Sequence, residues 1–554
     1  MRDYGVYVAG QDRPSEQRVY QVRASEMLRD PLGAVRLKRG LERGRLPEEA
    51  ARAAAADGRL IGSTAVGDAH DMEAALNAAA GAVDDWAATP LATRIALVAA
   101  FHDLVRENED ALVELLITEG HPRRLARWEV AGMLATTSSR TRDWIAGNLE
   151  HHASVDGRRM TLRRVADGVV CLNPPQNAAV ANTLLGVWVL AAGNSLVVRA
   201  PRSAAYGVMH ALHTLVVPAL ERVGAPVGVL NAVCVPAGPA LEQWLESPLV
   251  DDIMHFGDSV KGVEFGARCV AAGKKPVLEL AGNDTVVVWR DADLDRAAEA
   301  LAEAFYGSGQ ICMVPNCVVV HPAVADELLE RLAARARTIR PGYPEQDDAL
   351  LSPVLRTDAF FEALEESLAS GARLVCGGRR LGVDGEPDDT AGTFLEPTVL
   401  RVDGLKGARG LRTVRHETFF PLLPVVVPEP PRAGTDPEPA DRELLDEITS
   451  FVNTNEYGLR NSLWARDPAV VDRFVARVRN GGLLKVNDSH IGFLPLLPSH
   501  GGTGLTGGPG GEANYPALRT SHLQGVSVAV DARPGDAVST APDRPRDLDE
   551  RRTP

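Results

Sequence analysis

Between Gly168 and Asp284, short apolar runs alternate with longer stretches of helical periodicity. Val169-Val-Cys-Leu172, Ser195-Leu-Val-Val198, Val229-Leu-Asn-Ala-Val-Cys234, Ile253-Met-His-Phe256 and Val277-Leu-Glu-Leu280 are too short for helices and nearly free of polar residues. They predict strands buried on both faces. Helices are predicted between them, over Ala178 to Ala192, Val208 to Val223, and from Gly257 to about Ala272. Such alternation predicts a parallel sheet covered on both sides. The pattern then restarts. Thr285-Val-Val-Val-Trp289, Cys317-Val-Val-Val320 and Ala372-Arg-Leu-Val-Cys376 predict strands, and Asp293 to Phe305, Ala323 to Ala336 and Asp358 to Ser370 predict helices. A second α/β unit follows from this. Upstream, the run from Asp71 and the run Leu91 to Glu119 predict two helices. Pro428 to Ala440 and the Gly-rich Gly501 to Gly511 predict loops, and the polar tail from about Asp531 predicts disorder. The charged stretch Arg29 to Arg59 suggests no role, and no internal repeat is evident.

The 554 residues fit three or four units of domain size. No charge-free run of about 18 apolar residues occurs, so no membrane span is expected. The opening Met1-Arg-Asp-Tyr-Gly5 lacks the apolar core of a secretory signal. A net charge of −15 argues against nucleic-acid binding and, more weakly, against anionic membranes. The six cysteines form no Cys-x-x-Cys pair, so reduced thiols in a cytoplasmic enzyme are expected, with neither a disulfide framework nor a metal site.

One of those thiols stands apart. In Ser308-Gly309-Gln310-Ile311-Cys312 the cysteine lies between a helix and a strand, beside a turn glycine, where a thiolate nucleophile can be reached. Upstream, Glu279 interrupts the apolar strand of Leu278-Glu-Leu-Ala-Gly-Asn283. A strand-end carboxylate in apolar surroundings tends to a raised pKa and suits a general base; a salt-bridged glutamate is the alternative. Phe256-Gly257-Asp258-Ser-Val-Lys-Gly262 reads as strand, glycine turn and helix start, offering backbone N–H groups to a phosphate.

Glu279-Leu-Ala-Gly-Asn283 followed by Gly309-Gln-Ile-Cys312, 33 residues apart from Glu279 to Cys312, resembles the paired active-site signatures of the aldehyde dehydrogenase superfamily. Further marks follow in order: Pro174-Pro-Gln-Asn177, Gly193-Asn194 before the strand to Arg199, Glu417-Thr-Phe-Phe-Pro421, Asn453-Thr-Asn-Glu-Tyr-Gly-Leu459, Gly482-Leu-Leu-Lys-Val-Asn487 and Gly501-Gly502. The resemblance runs from about Gly5 to Ala529.

It implies a Rossmann-type cofactor domain over residues 1–150 and 165–281, an α/β catalytic domain over 282–485, and a small β oligomerisation extension. The extension and closing segment take in 151–164 and 486–530, with the tail at 531–554. It also implies that Cys312 attacks an aldehyde, that the Asn177 amide and the Cys312 N–H stabilise the oxyanion, and that hydride passes to NAD or NADP. Glu279 then activates water to hydrolyse the thioester. Glu417 holds the nicotinamide ribose and Phe419 packs near the nicotinamide. A homodimer or homotetramer is expected, as in the family.

Several positions depart from the family pattern. Gln176 replaces a tryptophan before Asn177, and Asp258 replaces a serine that meets the pyrophosphate. Arg199-Ala-Pro-Arg202 replaces Lys-Pro-Ser-Glu, which tilts the expectation toward NADP, because an arginine fork suits a 2′-phosphate. Pairing of Arg202 with Asp258 is the alternative. The apolar Ile311, Met313, Ile491, Phe493, Leu494, Leu496 and Leu497 suggest an apolar aldehyde, or else an oligomer interface. Competing functions are a CoA-acylating dehydrogenase, which usually lacks the glutamate, and a non-catalytic structural relative.

Overall fold

The computed structural model describes residues 2–155, 157–430 and 437–530. The first set of apolar runs forms five parallel strands of a seven-stranded sheet. Their order is Lys275–Glu279, Asp252–Phe256, Val169–Asn173, Ser195–Ala200, Leu230–Cys234; Val6–Val8 and Gln11–Arg13 continue the sheet antiparallel. The chain steps from Val169–Asn173 outward in one direction and returns to its other side with Asp252–Phe256. This reversal opens a crevice at the carboxyl ends of the strands, the usual ligand position in such sheets.

The second set forms another seven-stranded sheet, ordered Arg373–Cys376, Thr398–Asp403, Leu422–Val427, Pro315–Val320, Asp284–Val288, Arg460–Trp464, Leu483–Val486. Only the edge strand Arg373–Cys376 runs antiparallel to its neighbour. Glu150–Val155, Arg158–Ala166 and Ser521–Ala529 make a separate antiparallel three-stranded sheet, where the β extension is expected. Val286, Val288, Val318, Val320 and Leu423 pack with Leu301, Phe305, Leu328 and Leu332 into one buried cluster on a face of the second sheet.

Some expected elements differ. The run Leu91 to Glu119 is two helices, Leu91–Glu107 and Glu109–Glu119. The Asn108 side chain donates to the Leu104 carbonyl at 2.8 Å, an alternative to continuing the ladder. Val208 to Val223 contains a π turn, Leu212–Val216, just before Pro218, which has no N–H for a regular helical bond. The expected loop Pro428 to Ala440 gives way to a helix at Pro437, Pro437–Asn453; proline suits a first helical turn, and Leu444, Leu445, Ile448 and Val452 are buried. Residues 431–436, and the tail 531–554, lie outside the described residues. The charged N-terminal stretch folds into helices Pro31–Glu42 and Glu48–Ala56. These bury Ala34, Leu41, Ala51 and Ala54 against Val22 and Leu60 of a small sheet formed by Arg2–Tyr4, Leu60–Ala65 and Arg18–Val22. Among the described residues, no single helix is long and apolar enough to cross a membrane.

Asn194 ties the closing segment to the first sheet. Its Nδ2 donates to the Val189 carbonyl (3.2 Å), the Thr520 carbonyl (2.9 Å) and Thr520 Oγ1 (3.0 Å), while its Oδ1 accepts from Gly168 N–H (2.9 Å). Because Asn194 and Thr520 are both buried, Asn194→Ala should cost about 2–4 kcal/mol, the loss of several bonds with groups left unpaired. Urea unfolding of the two proteins measures it; an unchanged midpoint contradicts the assignment.

Candidate active site

Cys312 sits in a loop whose backbone is tightly specified. Gly307, Ser308 and Gly309 have φ values of 60°, 58° and 70°. The two glycines take this left-handed conformation freely, whereas Ser308 takes it at a cost. The Ser308 hydroxyl donates to the Ser352 carbonyl at 2.5 Å and accepts from Ser352 N–H at 3.0 Å, holding the turn. A side chain at Gly309 would stand 2.2 Å from the Phe420 carbonyl oxygen. Gln310 Nε2 donates to the Pro353 carbonyl at 2.9 Å. The thiol is thereby presented at a cavity of about 720 Å³.

The glutamate motif reaches the same place. Glu279 ends the strand Lys275–Glu279, and the following turn brings Gly282 against the cysteine loop. A Cβ on Gly282 would lie 2.0 Å from the Cys312 carbonyl oxygen, so only glycine fits. The Gly282 N–H donates to Glu417 Oε1 at 3.3 Å. Cys312, Glu279, Asn177, Glu417, Phe419, Gly257 and Asp258 all line the one cavity. Asn177 donates its side-chain N–H to the Gln310 carbonyl at 2.9 Å, which keeps the amide beside the nucleophile loop.

The charge states follow from burial. Desolvation, with Glu417 adding to it, pushes the Cys312 thiol up to about 12. Burial also raises Glu417 well above the ordinary carboxyl range, against the opposing Gly282 N–H. Glu279 is ion-paired with Arg519, and Gly501 N–H donates to its Oε2 at 2.7 Å; the ion pair leaves Glu279 on the cavity wall. Arg519, Arg460 and His500 carry no sequence signal beyond a polar residue in an apolar or glycine-rich run. Arg460 is buried next to Asp284 and donates to the His490 and Ser499 carbonyls (2.7 and 3.0 Å). His500 lines the cavity, and burial lowers its imidazole to about 4.

Helix and strands pack closely where the crevice of the first sheet opens. A Cβ on Gly257 would meet His255 Nε2 at 2.8 Å, and one on Gly262 would meet Leu280 Cδ2 at 2.2 Å. The helix Ser259–Ala271 starts there, pointing its dipole at the crevice. Asp258 caps that helix by accepting from Lys261 N–H at 3.0 Å, and no ion pair joins it to Arg202 among the described residues. Arg199 is buried in the sheet: Nε donates to Asn173 Oδ1, Nη1 to the Val235 carbonyl at 3.3 Å. Asn173 in turn reaches His255 Nδ1 at 2.9 Å. Arg199 therefore braces three strand ends, while Arg202 is exposed on the loop beyond. The crevice, its helix start and Glu417 fit a dinucleotide.

Of the expected apolar residues, Ile311, Met313 and Phe493 line the cavity with Leu125, Trp128 and Met133. Ile491 packs behind them. Leu494, Leu496 and Leu497 are exposed and are not among the lining residues. Cys317, by contrast with Cys312, is buried in the strand Pro315–Val320.

A thiol titrating near 12 has a thiolate fraction that rises about tenfold per pH unit below that value. Alkylation of Cys312 by iodoacetamide in the ligand-free protein should rise in that way from neutral pH to mildly alkaline pH. Mass-spectrometric rates at several pH values test this; a plateau near neutrality contradicts it.

Residues 45–517 match the sequence model of the aldehyde dehydrogenase family. A vanillin dehydrogenase of Corynebacterium glutamicum is 30% identical over 450 residues, covering 79% of this chain and 86% of the relative. A benzaldehyde dehydrogenase of Pseudomonas putida that uses NAD(+) is 28% identical, covering 87% and 93%. Among solved structures, an NAD-dependent aldehyde dehydrogenase from Sinorhizobium meliloti superposes with a TM-score of 0.76 at 23% identity, covering 96% of each chain. With a match across most of its length and both signature segments meeting at one cavity, this chain belongs to the aldehyde dehydrogenase family.

Proposed function

We propose that this NAD(P)-dependent aldehyde dehydrogenase oxidises an apolar, aromatic aldehyde to its acid, with Cys312 as nucleophile and Glu279 as the base that activates water. The observation that carries this reading is the convergence of Cys312, Glu279 and the dinucleotide crevice on a single cavity. The Cys312 thiol gives its proton to solvent water, its sulfur bonds to the aldehyde carbon, and the carbonyl oxygen becomes an oxyanion facing the Asn177 amide and the Cys312 N–H. Bound NAD(P) supplies a hydride acceptor. The thioester left on Cys312 is cleaved by water that gives its proton to Glu279. Glu417 and Phe419 line the nicotinamide end of the crevice.

The substrate class rests on the cavity wall, where Leu125, Trp128, Met133, Ile311, Met313 and Phe493 present apolar and aromatic surface. Glu119, Glu129, His121, Arg356 and Arg412 line the same cavity, so its polar lining carries both signs of charge. A vanillin and a benzaldehyde dehydrogenase are among the relatives, alongside an NADP(+) succinate-semialdehyde dehydrogenase of Escherichia coli. The exposed Leu162, Leu523 and Val528 on the three-stranded sheet support a homodimer or homotetramer paired through that sheet. A cytoplasmic location is part of the same reading.

Cys312→Ala should abolish aldehyde-dependent reduction of the cofactor while cofactor binding persists, and Cys317→Ser should keep substantial turnover. Glu279→Gln should complete one turnover and stall as thioester. Absorbance of the reduced nicotinamide over a panel of aromatic, aliphatic and dicarboxylic semialdehydes, with and without CoA, reads all three. Strict dependence on CoA, or turnover of semialdehydes alone, overturns the reading.

Arg202 is exposed, where Arg199 is buried, and it has no ion-pair partner among the described residues. NADP should therefore be accepted at least as well as NAD, and Arg202→Glu should shift preference toward NAD. The ratio of kcat/KM for the two cofactors, at one ionic strength in both proteins, measures this. A strong preference for NAD, unmoved by the substitution, rules out the phosphate contact.

A further inference from the structure

The residue that holds Glu279 comes from the far end of the fold. Arg519 ends the short helix Pro516–Arg519, directly before the strand Ser521–Ala529. Its side chain is 7% exposed and that of Glu279 is 4% exposed. Arg519 Nη1 donates to Glu279 Oε1, and Nη2 donates to the Leu278 carbonyl at 3.1 Å. Gly501 N–H holds the second oxygen, Oε2, at 2.7 Å. The arginine is itself anchored, because the next residue, Thr520, is gripped by Asn194.

A buried carboxylate is costly without a cation beside it. A base that takes a proton from water must also arrive unprotonated and correctly aimed. His500, the imidazole lining the cavity beside it, is held neutral by burial and supplies no charge. The guanidinium of Arg519 is thus the cation in direct contact with the carboxylate.

We propose that Arg519 is a positioning residue for the deacylation step: it supplies the counter-charge of Glu279 and fixes its orientation through the Leu278 carbonyl. This rests on the reading of Glu279 as the base. It predicts a split between the two halves of the reaction. In that reading Glu279 acts only after hydride transfer, so formation of the thioester does not need Arg519, whereas hydrolysis needs both.

The test uses the full chain with NADP and benzaldehyde, followed by rapid mixing. In Arg519→Gln the first turnover of reduced cofactor should keep its wild-type rate, while steady turnover falls roughly 10- to 100-fold, within the range a general base contributes. Arg519→Lys keeps the cation but loses the Leu278 anchor, and its steady turnover should fall between the two. In a Glu279→Gln background, Arg519→Gln should add no further loss. Wild-type steady turnover in Arg519→Gln, with Glu279→Gln stalled, overturns the inference and leaves the base reading intact. Continued turnover in Glu279→Gln overturns the base reading, and the role of Arg519 with it. If Arg519→Gln does not fold, Arg519→Lys decides: reduced steady turnover with an intact first turnover supports the role, and wild-type steady turnover removes it.

Discussion

Gly282 sets the distance between the two halves of the site. Its missing side chain lets the turn after Glu279 rest on the Cys312 carbonyl, where a Cβ would be 2.0 Å away. The same residue's N–H reaches Glu417. One backbone position thereby brings together the end of the first sheet, the loop before a strand of the second, and the segment after His416. Any residue with a Cβ would wedge these apart and open the cavity that the chemistry needs closed. Around this contact the rest is organised: the left-handed turn at 307–309 aims the thiol, and the Phe420 carbonyl packs against Gly309 from the other side.

Polar groups buried nearby are paired across long distances in sequence. Arg460 joins Asp284, and His490 lies between Ser462 Oγ at 2.6 Å and Asp284 Oδ2 at 3.2 Å. Lys485 donates to the Ser489 and Gly492 carbonyls, and Glu303 accepts from Ser489 and Ile491. Together they lock the loop that delivers Phe493 to the cavity. The loop is apolar where it meets substrate space and ionic where it meets the core. Burial lowers the Lys485 ammonium to about 8 and pushes the His490 imidazole well below its usual range.

Much of this is legible in the sequence because the signals are local. The alternation of apolar runs and helical stretches marks both sheets, and the Glu279 and Cys312 segments line one cavity, as the family resemblance implies. What escapes depends on partners far apart. Nothing near Arg519 or Arg460 says that its partner lies 240 or 176 positions away. Arg199 reads as a ligand for phosphate, yet its guanidinium is spent on Asn173 within the sheet. The break at Asn108 and the helix start at Pro437 are settled by a side-chain hydrogen bond and by buried leucines, neither of which periodicity alone resolves. The charged N-terminal stretch hides its apolar positions among arginines and glutamates.

The separation of Glu279 from Arg519 also has a meaning in time. During synthesis the glutamate leaves the ribosome 240 residues ahead of its arginine, a delay of roughly 10 to 50 seconds at about 5–20 residues per second. Throughout that interval the strand Lys275–Glu279 carries a carboxylate whose buried place in the native structure has no counter-charge. The strand at the edge of the first sheet is therefore free to pair early, but the native ion pair of a charged Glu279 waits for the helix Pro516–Arg519. Nascent chains halted before that helix would lack the counter-charge that Glu279 has in the native structure.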